Sequence, residues 1–306
     1  MTSILIGVDD SPRSEDAVAF AGTLAAASGA TVVLACAFPY DDTPSRVSNP
    51  EFRAALEAQA QETLRRAAAR LEGVDPARVK TVAVASTSAP RALDRLAESQ
   101  RAALIVVAAT HTGHLGRIFP GSTAERLLHG APCPVAVVPE GYRPPPAGQS
   151  AQIGVAYDGS EESVVAVNGA IRIARALAGE LRVIGVFEAA GVAGPVVTAG
   201  AGLEMREAAE KQARAELDRA AAGLPEDVHA QAVFLVGDAV RQLAAQSAGL
   251  DLLVAGSRGY GPLRAVLLGG VTGRLVRVIS CPLIIVPRGH ETPFGALFGP
   301  TAGAAS

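Results

Sequence analysis

Apolar residues in this chain fall into short runs separated by longer amphipathic stretches, and the alternation predicts its elements. In the first half, runs at 3–8, 31–37, 79–84, 103–108 and 135–138 read as five strands. Helix-like stretches lie between them at about 13–28, 51–72, 90–101 and 121–130. The second half repeats the order, with strands near 152–157, 181–187, 229–235, 251–255 and 283–286. Its helices fall near 161–178, 203–222, 238–248 and 270–279. Strands apolar along their whole length, alternating with helices, predict βαβ units and a parallel sheet covered on both faces. The expected fold class is α/β, as two tandem doubly wound five-stranded parallel-sheet domains. Ligands in such folds bind beyond the carboxyl ends of the strands, where the strand order reverses.

The two halves match residue by residue. Asp9 in GVDDSPRS answers Asp158 in VAYDGSEES, and Ser11 and Ser14 answer Ser160 and Ser163, at an offset of 149. Gly121 pairs with Gly269, Arg126 with Arg274, and CPVAVVP (133–139) with CPLIIVP (281–287), at an offset of 148. An offset that holds to one residue over most of each half marks a tandem duplication. The expected boundaries are a first domain at 1–140, a proline-rich linker at 141–150, a second domain at 151–288 and a flexible tail at 289–306. Three consecutive prolines, Pro144 to Pro146, make the linker a semi-rigid spacer.

Composition narrows the function classes. The formal charge is −3, and Lys80 and Lys211 are the only lysines, which argues against a nucleic-acid surface. Three scattered cysteines, Cys36, Cys133 and Cys281, cannot form a disulfide framework, and a reducing cytoplasm is expected. The N-terminus reads as a first strand and not a signal peptide, and no apolar stretch is long enough to suggest a membrane span. Neither lysine lies near a glycine loop, GxxxxGK is absent, and so are GxGxxG after the first strands and GxSxG. Binding is therefore better supported than catalysis, and no catalytic residue is assigned.

The densest chemistry lies at 251–286. An apolar strand runs into a loop with Gly256, Gly259 and Gly261, and Gly269 and Gly270 precede a helix-like stretch. Glycines let peptide N–H groups approach a phosphate, and a helix start adds partial positive charge. Turn and packing glycines are the plain alternative. Asp158, just past the first strand of the second half, is a candidate for the adenosine end of a nucleotide or simply a helix N-cap. His111 and His114 lack an accompanying Cys or acidic cluster, so no metal site is assigned. Cys133 and Cys281 precede proline at a strand start and read as structural.

These residues resemble the universal stress protein family, whose nucleotide-binding members carry glycine, two residues, glycine, nine residues, then glycine and a serine or threonine. The second half matches at Gly256, Gly259 and Gly269, departs at Gly270, and has Thr272 two positions on. Asp158 and the closing CPxxxVP strand also match. The resemblance spans both halves and implies a five-stranded fold of the adenine-nucleotide alpha-hydrolase type. It further implies ATP in the crevice, with any Mg2+ riding on the phosphates, and a homodimer formed by pairing of closing strands. Carried over, it implies Asp158 and Val186 at the adenosine end and the backbone of Gly256, Gly259, Gly269, Gly270 and Val271, with Thr272, around the phosphates. Val186 reads equally as a core valine. In the first half Asp9, Gly121 and Ser122 match, but Ala108 and His111 stand at the earlier glycine positions. The second half is thus expected to be the better site of an ATP-binding stress regulator. A scaffold with decayed sites and a slow ATPase are the alternatives.

Overall fold

The computed structural model describes residues 2–40, 49–109, 111–112, 118–119, 122–146, 148–188, 199–257, 270–287 and 297–298. The first half runs β1 (Ser3–Gly7), α1 (Arg13–Ser28), β2 (Thr31–Phe38), α2 (Pro50–Ala69), β3 (Val79–Ala85), α3 (Ala89–Ser99), β4 (Ala102–Ala108), α4 (Ser122–Gly130) and β7 (Val135–Val138), with a small hairpin of β5 (His111–Thr112) and β6 (Ile118–Phe119) before α4. The second runs β8 (Gln152–Tyr157), α5 (Glu161–Ala176), β9 (Glu180–Phe187), α6 (Ala199–Ala222), β10 (Ala230–Val236), α7 (Ala239–Ser247), β11 (Leu252–Gly256), α8 (Val271–Leu275) and β12 (Leu283–Val286). The α/β fold and mostly parallel sheet follow the apolar pattern closely.

Local chemistry explains the boundaries. At the start of α2, Asn49 accepts from the Phe52 N–H with Pro50 at the first helical position; at α7, Asp238 accepts from the Arg241 N–H. Gly29 ends α1 in the left-handed region at φ 65°, returning its N–H to Ala25 O. Two differences stand out. The helix expected over 270–279 is only Val271–Leu275, because the chain tightens into three-residue bonds, such as Val278 N–H to Leu275 O at 3.0 Å. Within the stretch expected as a tail, Leu297 is 1% exposed in the core and Phe298 packs against the same cluster; the other residues of 289–306 lie outside the described residues.

The halves share one ten-stranded sheet in the order β10-β9-β8-β11-β12-β7-β4-β1-β2-β3. Every pairing in it is parallel except at the centre, where β12 meets β7 antiparallel, Ile284 opposite Ala136. The closing strands therefore pair within one chain and are flanked on both sides. Helices α1, α2, α5 and α6 cover one face and α3, α4, α7 and α8 the other, and each face carries an apolar core drawn from both halves. The linker is pinned at its start: Gly141 N–H donates to Asp16 at 2.9 Å, and the Tyr142 ring stands edge-on to Phe20 at 5.5 Å.

Candidate functional site

At the carboxyl ends of β8, β9 and β11 lies a cavity of about 250 Å3. Each strand delivers its next residue to the rim. Past β8 stands Asp158, whose Oδ1 accepts from the Ser160 N–H at 3.0 Å and the Ser160 hydroxyl at 2.5 Å. Ser160 is itself the N-cap of α5, accepting from Ser163 N–H. The N-cap reading of Asp158 is thereby corrected: it braces the cap and faces the cavity. Val186, half-buried near the end of β9, lines the wall beside Ile184, Leu243, Leu275 and Ile285. Glu188, just beyond, also lines the rim, with one carboxylate oxygen accepting from Ala239 N–H at the start of α7 at 2.7 Å.

Gly256 ends β11, and its glycine has a reason the sequence hid. A Cβ there would lie 2.7 Å from the backbone carbon of Glu162 and 2.8 Å from its carbonyl oxygen, so the first turn of α5 demands the bare position. Gly270 is the N-cap of α8, at φ −86°, with no side chain to cap the turn. The opening N–H groups of any helix have no intrahelical acceptor, so those of Val271, Thr272 and Gly273 are donors at the cavity. Thr272, which the sequence offered as a substitute for the missing hydroxyl at 270, donates instead to Gly256 O at 3.1 Å. That bond ties α8 to the end of β11 and uses the one proton the hydroxyl could give a phosphate. Gly259, Gly269 and Gly121 lie outside the described residues.

In the first half, Asp9 is exposed, and its Oδ1 accepts from Ser11 N–H at 3.0 Å, Ser11 Oγ at 2.5 Å and Ser14 Oγ at 2.7 Å. Burial pushes its carboxyl up, but these donors together outweigh burial and hold it below the ordinary value. Asp9 borders a different cavity, of about 360 Å3 between α1 and α2, lined also by Arg65, Arg66 and Arg70. Those arginines are engaged: Arg65 with Glu62, Arg66 with Asp10, Arg70 with Glu15. Ser122 opens α4, matching Gly270, but at the crevice itself Leu93 comes within 2.8 Å of where a Cβ on Gly7 would sit. The matching Ala156 carries that Cβ and lines the second-half cavity.

Most of the apolar wall escaped the sequence reading, and so did three further lining residues of interest, Ser257, Glu188 and Leu128. Ser257 follows a motif glycine and Glu188 follows a strand, so each had a positional signal; Leu128, from α4 of the first half, had none. Arg274 lies 3.7 Å from Asp238 and is more than half exposed, as a surface arginine would be. Among the described residues no group of three His, Cys, Asp or Glu is placed to hold a metal, and no helix is long and apolar enough to cross a membrane. Cys133 and Cys281 are buried, and burial pushes each thiol up to about 12, leaving them protonated.

Comparison with known proteins places this geometry. The model of the universal stress protein family matches twice, over residues 1–139 and 150–287. A universal stress protein of Mycobacterium tuberculosis is 29% identical over 250 residues, covering 80% of this chain and 83% of its own. The crystal structure of a universal stress protein from Archaeoglobus fulgidus superposes with a TM-score of 0.64 at 19% identity, covering 94% of this chain and 98% of that one. A universal stress protein solved in complex with cAMP aligns with 45% of this chain and 96% of its own, at 27% identity and a TM-score of 0.34. With a domain match in each half and the fold those domains share, the chain belongs to the universal stress protein family.

Proposed function

We propose that this chain is a non-catalytic regulator that binds an adenine nucleotide, ATP in the first instance, in the second-half cavity. The observation that carries the reading is the convergence of Asp158, Val186, Gly256 and the uncapped start of α8 on one cavity, from segments far apart in the chain. Two ends of different chemistry result. Carboxylates of Asp158 and Glu188 accept hydrogen bonds and suit ribose hydroxyls or an amino group. The N–H groups of Val271 and Thr272 donate and suit a phosphate. The apolar wall between them suits a base. Mg2+ would ride on the phosphates. The free, buried cysteines support a reducing cytoplasm. A homodimer would use a surface other than the closing strands, whose edges are already paired.

Purified protein is denatured and its supernatant analysed for nucleotide, and ATP is titrated against the parent and a Gly270→Asp variant. Among the described residues nothing crowds the place a Cβ on Gly270 would take, and aspartate is a favoured N-cap, so the variant should fold at least as well. It sets a negative charge at the phosphate end, and ATP affinity should fall by tenfold or more. Absence of nucleotide together with no ATP response in the parent defeats the proposal. A second reading, a nucleotide-free interaction module, draws on Gly256, whose glycine the packing of α5 requires with or without a ligand. It expects unchanged stability in the presence of any nucleotide.

A further inference from the structure

Ser257 is the residue that follows β11 into the cavity, and its hydroxyl answers no need of the fold. The residue is 1% exposed, and Oγ has no hydrogen-bond partner among the described residues. Buried hydroxyls are nearly always paired, since desolvation without a partner is unfavourable. Its backbone cannot swing the group away, because Ser257 N–H is bonded to Val286 O at 2.9 Å. The duplication supplies an internal control. One repeat earlier stands Ala109, 3% exposed, whose N–H bonds Val138 O at 2.8 Å. A methyl therefore meets every requirement of the fold at this place. At the other lining positions the contrast runs both ways: Glu188 answers Pro39, whereas Gly270 and Val271 answer Ser122 and Thr123, so it is the Ser257–Ala109 pair that counts.

We infer that Ser257 is a ligand-contact residue whose hydroxyl donates to a phosphate oxygen of the nucleotide held in the second half. Phosphate is the partner because of position. Ser257 adjoins Gly256, to whose carbonyl the first turn of α8 is tied through Thr272, so it stands beside the donor end of the cavity. The Thr272 proton is spent in that bond, and the Ser257 proton meets no acceptor among the described residues. This rests on the nucleotide reading above, and the test separates the two.

Ser257→Ala and the parent are titrated with ATP and with AMP, and both are melted free of nucleotide. The nucleotide-free variant should melt at or above the parent, as the Ala109 arrangement implies. Its affinity for both nucleotides should fall roughly tenfold, the loss of one hydrogen bond to a charged group. If the parent binds and the variant binds equally, the role of Ser257 is overturned while the nucleotide reading stands. If the nucleotide-free variant melts clearly lower, the hydroxyl is structural and the inference is likewise overturned. A parent that binds neither nucleotide overturns both.

Discussion

Gly256 and Gly270 look alike in the sequence, each a glycine beside a phosphate motif, yet the structure gives them opposite tolerance. At Gly256 the obstacle is backbone, the Glu162 peptide within 2.8 Å of any Cβ, and backbone at a helix start cannot give way cheaply. Gly256→Ala should destabilise the protein by about 1–3 kcal/mol, read as a lower urea midpoint. Among the described residues no heavy atom lies within 4 Å of where a Cβ on Gly270 would sit, so Gly270→Ser should leave the midpoint nearly unchanged. It restores a hydroxyl at the cavity and should tighten ATP binding severalfold, within the ~0.5–1.5 kcal/mol of one hydrogen bond, as calorimetric titration would show. Both positions were legible as candidates from spacing alone. The steric reason for one and the freedom of the other were not, because Glu162 is remote from Gly256 in sequence.

Paired elements of the two halves show what a helix needs and what it merely carries. Counted from their N-caps, Ser88 and Asp238, α3 holds Asp94 where α7 has Ala244, so the fold does not require an acid there. Asp94 Oδ1 is buried with no partner among the described residues, and burial, with Glu98 nearby, pushes its carboxyl up to about 6. Its folded value lies above the unfolded one, so the folded state holds the proton more tightly. The contribution of this group to stability is therefore best at acid pH and declines as pH rises from about 4 towards its folded value. Asp94→Asn should raise the melting temperature near neutral pH, with the gain shrinking as pH is lowered; a series of melts across that window checks it. Periodicity predicted α3 and α7 well. It overestimated α8, whose last turn tightens on the way into β12, where side-chain pattern carries no signal.

The whole molecule behaves as one body, since a continuous sheet and two cores cross the line between the halves. A single cooperative transition is expected, with calorimetric and van't Hoff enthalpies in agreement. Ile284, fully buried opposite Ala136 at the antiparallel seam, is the place to test this. Ile284→Asp should cost well over about 2 kcal/mol and lower the melting of both halves together. Leu128 of α4 in the first half lines the second-half cavity, and elsewhere across the halves Arg277 pairs with Glu125 at 3.0 Å. By itself the sequence determined the strands, the helices, the duplication and the glycine motif, because apolar periodicity and backbone freedom are local properties. Only the tertiary structure decided that the closing strands join each other, that Thr272 serves Gly256, and that the Ser257 hydroxyl meets no partner among the described residues. Those outcomes depend on which distant groups meet once the sheet has closed, and no local pattern records that.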